Sequence, residues 1–356
     1  KIPPPDYAIH IGLTPNRSDA MSHLGVAADI CAYQTHHTGK KWEVVQPVIP
    51  TYERSDDTPF KIHIAAKEAC SRYAGMRISG VRVGASPAWL QQRLKTIGVR
   101  SVNNIVDVTN FVLHEYGQPL HAFDAVRISG GEINIRFLPA GTAFVTLDEK
   151  ERKLQDDDLM ICDAERPLCI AGVFGGLDSG VTETTTDVFL ESAFFHPLWI
   201  RRTSLHHGLR TDAAMRFEKT VDNSLLIPAL ERAAALICEI AGGRASELVD
   251  VVAEVPAPVH IACTYDYINK ICGKDFSQES VHTILRALRF EIEKTDADAF
   301  TVIVPGNKPD VRQPADIAEE ILRIDGLDNI PVPDRLNISL IKSTPDDRDI
   351  QERIAC

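Results

Sequence analysis

Polar residues framed by apolar neighbours mark two places in this sequence where chemistry is possible. Asn110 and His121 lie in VDVTNFVLHEYGQPLHAFD, and Glu191 lies in DVFLESAFF. A buried carboxylate is costly unless it is paired, so Glu191 is either a paired functional group or an outward-facing strand residue. A lone histidine is more often a structural or surface group than a catalyst. The residues alone leave these interpretations open.

Clustered carboxylates in DVRQPADIAEE form a third candidate. If a helix begins at Pro314, then Asp316, Glu319 and Glu320 share one face at i, i+3 and i+4, and Asp310 lies just before it. Carboxylate oxygens in this arrangement suit a hard cation such as Mg²⁺. An acidic first turn that complements the helix dipole on a solvated face gives the same pattern.

One stretch, RRTSLHHGLRTDAAMRFEK, is locally basic in a chain of net charge −12. Its cations are Arg201, Arg202, Arg210, Arg216 and Lys219. The overall charge argues against a broad nucleic-acid footprint. A local contact with a phosphate backbone is compatible with the pattern, as is a solvated helix face.

The glycine-rich run CIAGVFGGLDSGV has the bare backbone that a phosphate cradle would need. It lacks the lysine of a P-loop, and its glycines do not have the spacing of a dinucleotide fingerprint. The run therefore predicts a turn between two buried strands.

Helix signals precede and surround these residues. SPAWLQQRLKTIG predicts a helix with Ser86 at the N-cap, Pro87 at the first helical position and Gly98 beyond the end. In LTPNRSDAMSHLGVAADICAY, Ser18 or Asp19 is the expected cap of a further helix.

Short strands separated by turns are predicted from Glu132 to Ala193. Helices then follow at PLWIRRTSLHH and SLLIPALERAAALICEIAGG, and EVPAPVH at 254–260 reads as a linker. Behind it we predict a helix after Ser277, a strand FTVIVP and the acidic helix from Pro314.

The composition is that of a globular protein with two or three domains. The chain has 356 residues, of which 44% are hydrophobic and 25% charged. No apolar run approaches the length of a membrane span and no signal peptide opens the chain. The eight cysteines show no C-x-x-C pair, which favours reduced thiols in a cytoplasmic protein. Because the chain begins with Lys1, we expect an excised piece of a longer protein.

Five segments in this order carry a family resemblance. They are LTPNRSDAMSHLGVAADICA, RSVNNIVDVTNFVLHEYGQPLHAFD, AGVFGGLDSGV, LESAFFHPLWIRRTSLHHGLRTDAAMRFEK and DVRQPADIAEEILRIDGLDNIP. Together they closely resemble the bacterial phenylalanyl-tRNA synthetase β subunit over nearly the whole chain. The resemblance also implies that a leading tRNA-binding domain and trailing catalytic-like and anticodon-binding domains are missing.

The resemblance implies an α+β, multidomain fold. A central mixed α/β editing module of short strands and packed helices would be flanked by small helix-rich domains resembling a winged-helix, DNA-binding fold. The expected divisions are 1–60 (part of a small helix-containing domain plus linker), 61–253 (editing module), 254–332 (helix-rich domain with the acidic helix) and 333–356 (start of a following domain or linker).

In that family the central module removes tyrosine wrongly attached to the phenylalanine tRNA. His121 and Asn110 match positions lining the editing pocket, and Glu191 matches the position that reads the tyrosine hydroxyl. The further matches are two wall positions, a basic position near the entrance and a floor glycine, namely Thr211 and Ala213, Arg100, and Gly175. We identify no Ser–His–Asp arrangement in the sequence. We therefore expect a positioned water to attack the ester, with His121 orienting substrate or water.

The acidic helix matches the family's Mg²⁺ positions at Asp310, Asp316, Glu319 and Glu320, shared with the α subunit. Many relatives have WRFD before this helix, whereas this chain has GNKPD. The implied partners are the α subunit in an α2β2 tetramer, the 3′ end of tRNA(Phe), and tyrosyl and phenylalanyl groups. ATP is used by the whole enzyme and not bound by this chain.

Two other functions compete with editing at this point. One is a stand-alone metal-dependent hydrolase built on the acidic helix. The other is a non-catalytic module that binds nucleic acid or protein, which the negative net charge disfavours for nucleic acid.

Overall fold

The computed structural model describes residues 7–255 and 257–332, together with Gln351 and Ile354. The rest of the predicted 333–356 unit lies outside the described residues. Within the described ranges, no helix is long and apolar enough to cross a membrane.

Runs of strands and runs of helices follow one another along the described chain. The α-helices are α1 (His23–Thr38), α2 (Ala88–Thr96), α3 (Asn104–Tyr116), α4 (Pro197–His207), α5 (Asp212–Phe217), α6 (Leu226–Ala241), α7 (Tyr265–Cys272), α8 (Gln278–Ala287) and α9 (Pro314–Asp325). The strands are β1 (Lys61–Ile64), β2 (Cys70–Ser79), β3 (Leu120–Asp124), β4 (Glu132–Phe137), β5 (Ala143–Val145), β6 (Glu151–Lys153), β7 (Leu159–Cys162), β8 (Pro167–Ile170), β9 (Phe174–Gly175), β10 (Asp187–Phe195), β11 (Arg244–Ala245), β12 (Val249–Val252), β13 (His260–Thr264), β14 (Glu291–Thr295) and β15 (Ala299–Ile303).

A central antiparallel sheet organises the large unit, with strand order β11-β2-β10-β3 and β12 also paired to β2. Side chains alternate between its two faces. One face carries Tyr73, Phe123 and Phe189 and packs against a second sheet of order β1-β4-β7-β8-β9. The other face carries Met76 and Leu190 and packs against α2, α3 and α6. The unit is therefore three layers deep, with the central sheet in the middle.

The glycine-rich run forms a tight hairpin at the edge of the second sheet. β8 and β9 pair antiparallel, and Gly172 in their turn has φ +66°, a left-handed conformation that favours glycine. The predicted turn between buried strands is confirmed.

A smaller unit follows the linker. β13, β15 and β14 form a three-stranded antiparallel sheet against which α7, α8 and α9 pack in one apolar core. Ala32 of α1 is fully buried in that core, so the first helix docks on this unit. The overall α+β class is confirmed. The small unit is mixed rather than purely helix-rich, and the winged-helix likeness stays a prediction.

Most local helix predictions are confirmed and two caps are wrong. α4, α6, α8 and α9 lie where the periodicity places them, with Ser277 capping α8. The cap of α1 is Ser22, whose side chain accepts from Gly25 N, because residues Ser18–Ala20 form a separate 3-10 turn. The N-cap of α2 is Pro87, since the Ser86 hydroxyl donates to Asp107 instead.

Candidate functional site

Glu191 lies in the middle of the central sheet. On β10 it is in register with His121 of β3 on one side and Gly75 of β2 on the other. Its side chain is 5% exposed, on the face that meets the second sheet. The alternative of an outward-facing strand residue is therefore wrong, and the carboxyl is a buried group that needs a partner.

The recorded partner of this carboxyl is a phenol. Tyr73, fully buried on β2, donates a hydrogen bond of 3.0 Å to Glu191 Oε2. Burial raises the pKa of Glu191 to about 8, and the Tyr73 hydrogen bond lowers it only in part. Within the described part of the chain no cation pairs with Glu191. The group is accordingly a neutral carboxylic acid at pH values below about 8.

His121 faces the same interior side of the sheet. Its ring packs edge-on against Phe123 with centroids 4.5 Å apart, and its Nε2 is buried without a hydrogen-bond partner among the described residues. Burial lowers the pKa of His121 to about 4, so the imidazole is neutral near pH 7. A neutral ring with an unpaired nitrogen is suited to hold a water or a substrate group.

Gly175 at the end of β9 borders the His121 ring. A Cβ at position 175 would lie 2.8 Å from Leu147 Cδ1 and 3.3 Å from His121 Cε1. Such contacts are tighter than side chains normally tolerate, so any larger residue would displace the Leu147 side chain or the His121 ring. The structure thus brings Gly175, His121 and Glu191 to one side of the central sheet.

Thr211 and Ala213 lie next to this group on the same core. The Thr211 hydroxyl donates to Val173 O at 3.0 Å and accepts from Ala214 N, which ties the start of α5 to the β8–β9 turn. Ala213 packs on the core shared by the two sheets. A small residue at 213 leaves room on this wall.

Asn110 and Arg100 are not brought into the group. Asn110 is half-buried on α3, which packs on the opposite face of the central sheet, and its side chain makes no hydrogen bond to Glu191 or His121. Arg100 is exposed in the connection between α2 and α3. Their predicted places in the pocket therefore have no direct geometric support within this chain.

The predicted acidic face of α9 is not uniform. Asp310 and Glu319 are exposed, and Glu319 receives only a 3.4 Å contact from Asn16. Asp316 closes the helix start, since its Oδ2 accepts from the backbone N–H groups of residues 312 and 313. Glu320 is 5% exposed. The solvated-face interpretation therefore holds for part of the cluster and is wrong for Glu320.

Glu320 belongs to a closed ring of six alternating charges. The successive contacts, mostly 2.8–3.0 Å, join Arg17, Asp19, Lys308, Glu320, Arg323, Asp29 and again Arg17. We call this set the six-charge ring. Burial opposes ionisation of Asp19 and Glu320, but their cationic partners outweigh it and lower the pKa of both carboxyls. The ring ties the residues around α1 to α9 and carries no net charge.

The four predicted metal positions line one small recess together with Lys308 and Asp19. The recess does not fit a cation as this chain builds it, because the Lys308 ammonium and the Arg323 guanidinium already neutralise Glu320. Among the described residues, no group of three or more His, Cys, Asp or Glu side chains has the geometry to hold a metal ion.

The basic stretch divides into exposed and buried members. Arg201 and Arg202 are exposed on α4, with Arg202 over the Trp199 ring, and Arg210 is paired with Glu218 at 3.3 Å. Arg216 is 7% exposed and is a structural cation rather than a surface one.

Sequence reasoning missed Tyr73 and Lys308. Tyr73 stands in an ordinary strand pattern, where tyrosine is common, and nothing near it in the sequence points to Glu191. Lys308 stands in GNKPD, just before the acidic helix, and a lysine beside four carboxylates was the available signal.

Two family models match this chain, one in the large unit and one in the smaller unit. Residues 69–242 match the family model of the B3/4 domain, and residues 261–327 match that of the tRNA synthetase B5 domain. The smaller unit therefore matches a domain of tRNA synthetases. The matches lie inside the predicted 61–253 and 254–332 units, whose boundaries remain predictions.

Curated relatives give the family. The chain is 46% identical over 337 residues to the phenylalanine–tRNA ligase β subunit of Bacteroides thetaiotaomicron, covering 94% of this chain and 41% of the relative. It is 44% identical over 344 residues to that of Porphyromonas gingivalis, covering 96% and 42%. The chain belongs to the family of phenylalanine–tRNA ligase β subunits and spans about two fifths of their length.

One solved structure is also similar. It is an N-terminal fragment of the phenylalanyl-tRNA synthetase β subunit from Pyrococcus horikoshii, with a TM-score of 0.42, 16% identity, and coverage of 87% of this chain and 84% of that one. At this TM-score the similarity carries no argument.

Proposed function

We propose that this chain carries the editing site of a phenylalanine–tRNA ligase and hydrolyses the ester of tyrosine wrongly attached to tRNA(Phe). The observation that supports this most is Glu191, a buried carboxyl on an aromatic-lined face, with only a phenol as its recorded partner. Such a group has unused hydrogen-bonding capacity where an apolar side chain would otherwise fit.

The selectivity follows from that unused capacity. A synthetic site that accepts phenylalanine rejects an isostere with one extra hydroxyl only about 10²-fold. In a second site built around Glu191, the tyrosine hydroxyl pairs with the carboxyl. Phenylalanine would desolvate that carboxyl without replacing its hydrogen bond, and an unmade hydrogen bond to a buried polar group costs about 1–3 kcal/mol.

His121 and Gly175 supply the other parts of the site. In this proposal the unpartnered Nε2 of His121 holds the attacking water or the aminoacyl group. The missing side chain at Gly175 lets the imidazole and the Leu147 side chain lie against the backbone of β9, where a Cβ would displace them. Ala213 and Thr211 form the wall contributed by α5, while Asn110 and Arg100 act on a part of the tRNA away from the Glu191 carboxyl.

The remaining parts of the reaction belong to the whole ligase. We propose that the α subunit, in an α2β2 assembly in the cytoplasm, uses ATP to attach phenylalanine. The 3′ end of tRNA(Phe) would then reach the editing site of this chain. Any Mg²⁺ shared with the α subunit near α9 needs ligands from that partner, since Lys308 neutralises Glu320 here.

The test is a deacylation assay with tyrosyl-tRNA(Phe) and phenylalanyl-tRNA(Phe) as substrates, using the assembled ligase. The wild type is expected to hydrolyse the tyrosyl ester preferentially. Glu191→Ala is expected to reduce that preference by roughly ten-fold or more, because it removes a hydrogen bond that involves a charged or strongly polar group.

Ala213→Trp provides a second readout in the same assay. It fills the α5 wall, so tyrosyl-tRNA hydrolysis should be blocked while phenylalanine charging stays nearly intact. Glu183→Ala, an exposed carboxylate on the same chain, serves as the control and should alter neither activity. Equal hydrolysis of the two esters by the wild type would refute the proposed function.

A further inference from the structure

The contact between Tyr73 and Glu191 joins two neighbouring strands diagonally. Ala193 of β10 is directly opposite Tyr73 of β2, while Glu191, two residues away, is opposite Gly75. Diagonal neighbours on one face are within reach of an aromatic side chain. The Tyr73 ring is fully buried beside Phe195, so its hydroxyl is held in place by packing on all sides.

Only one of the two carboxyl oxygens is engaged by this contact. Oε2 accepts the Tyr73 hydroxyl at 3.0 Å, and Oε1 accepts no hydrogen bond from the described residues. A carboxyl held by one fixed donor has a defined plane and a defined free oxygen. Without that donor the carboxyl would rotate between several orientations in its pocket.

We propose that Tyr73 is a positioning residue that orients the Glu191 carboxyl and reserves its second oxygen for the phenol of a tyrosyl ester. The inference rests on the proposed function and adds a residue that sets its specificity. Tyr73 already presents one phenol to the carboxyl, and the substrate would present a second phenol to the other oxygen. A phenylalanyl ester would leave that oxygen without a partner.

The other ionisable neighbours of Glu191 carry no charge near neutral pH that would orient its carboxyl in place of Tyr73. The Cys70 and Cys169 thiols lie close enough to interact with its charge, but burial raises the pKa of each thiol above its ordinary value. His121 is neutral because burial lowers its pKa to about 4. Tyr73 is the neighbour whose hydrogen bond favours the ionised carboxylate.

The experiment measures kcat and KM for tyrosyl- and phenylalanyl-tRNA(Phe) hydrolysis by the assembled ligase between pH 6 and 9. Tyr73→Phe keeps the ring and removes the hydroxyl. We expect discrimination to fall roughly ten-fold, mainly through KM for the tyrosyl ester, because the positioned hydrogen bond is lost. The midpoint of the pH dependence of discrimination should rise, because the bond that favours ionised Glu191 is gone.

A second variant keeps packing and hydrogen bond intact. 3-Fluorotyrosine at position 73 has a more acidic phenol, which is a stronger donor, so the same midpoint should move to lower pH. A role limited to packing would leave the midpoint in place for this variant. Tyr265→Phe is the matched control, since it removes another hydrogen-bonded tyrosine hydroxyl, one paired with His282 at 2.9 Å in the smaller unit. It should change neither discrimination nor midpoint.

The outcomes separate the two proposals. A wild type that hydrolyses both esters equally refutes the editing function together with this inference. A wild type that prefers the tyrosyl ester, while Tyr73→Phe and the fluorinated variant keep its discrimination and its midpoint, overturns the role of Tyr73 alone. Opposite shifts of the midpoint in the two variants, with Tyr265→Phe unchanged, support it.

Discussion

Glu191 and Glu320 are buried to the same extent, each 5% exposed, in two regions that treat a carboxyl in opposite ways. Glu191 has a phenol as its recorded partner, and burial raises its pKa to about 8. Glu320 lies between Lys308 and Arg323, and these cations lower its pKa despite the burial. Exposure alone therefore does not set the charge state of a buried carboxyl. The partner decides it.

The two regions also differ in how fully their polar groups are paired. The six-charge ring gives each of its members two oppositely charged partners and joins the residues around α1 to α9, so it holds the first helix on the smaller unit. A second contact strengthens the same junction, because Asp325 pairs with His36 at 3.0 Å and with Lys274 at 2.7 Å. The Glu191 region instead retains the His121 Nε2, which is buried without a hydrogen-bond partner among the described residues, at a cost in stability. The Oε1 of Glu191 accepts no hydrogen bond from those residues either.

The largest expected effect comes from opening the six-charge ring. Lys308→Met leaves Asp19 and Glu320 buried with one cationic partner each, and breaking a buried pair typically costs 3–5 kcal/mol. Because both carboxylates keep a partner, we expect a loss of about 3 kcal/mol in the free energy of unfolding, measured by denaturant titration. Lys150→Met is the control. Lys150 is exposed and its ion pair with Asp148 is long, at 3.7 Å, so the substitution should cost less than about 0.5 kcal/mol in the free energy of unfolding. A Lys308→Met protein as stable as the wild type would contradict the structural role of the ring.

A smaller effect is expected at Glu191, where the free energy of unfolding should fall as the carboxyl loses its proton. Its pKa rises from the ordinary value of 4.5 to about 8 on folding, so the unfolded chain loses this proton first. The stability that Glu191 contributes is complete below pH 4.5 and is lost as pH rises to 8, by about 1.4 kcal/mol for each pH unit. Between pH 6.5 and 8 the wild type should therefore lose about 2 kcal/mol relative to Glu191→Gln.

The comparison starts at pH 6.5 because below that pH His121 makes the free energy of unfolding fall as pH falls, opposite to the effect of Glu191. Burial lowers the pKa of His121 from 6.5 to about 4, so its contribution is complete above pH 6.5 and is lost as pH falls. Denaturant midpoints of the wild type and Glu191→Gln at pH 6.5 and 8 give the comparison. Parallel changes in the two proteins would show that Glu191 ionises normally in the folded state.

Much of the local structure could be predicted from the sequence, because local signals fix it. The proline at the start of α4, the apolar stripe of α6 and the Ser277 cap of α8 act over a few residues, and these elements are confirmed. The family motifs also point to Glu191, His121 and Gly175. The partners that decide what each carboxyl does could not be predicted, because they are distant in sequence. Tyr73 is 118 positions from Glu191, and Lys308 is 289 positions from Asp19.

The smallest expected effects distinguish the remaining carboxylates of α9 and show whether that helix holds a cation without a partner subunit. Asp316 closes the helix start through two backbone N–H groups, so Asp316→Ala should cost about 1 kcal/mol of unfolding free energy. Glu319 is exposed with one long contact, so Glu319→Ala should change stability by less than about 0.5 kcal/mol.

Thermal unfolding of the isolated chain with and without Mg²⁺ measures the stability of these variants and their response to the metal in one experiment. Because Lys308 already neutralises Glu320, the wild type and the Glu319→Ala variant should respond equally to the metal. A Tm that rises with Mg²⁺ in the wild type and not in Glu319→Ala would mean that the recess binds a cation by itself. Glu320 would then be open to a ligand, as Glu191 is in the proposed function, despite its two cationic partners.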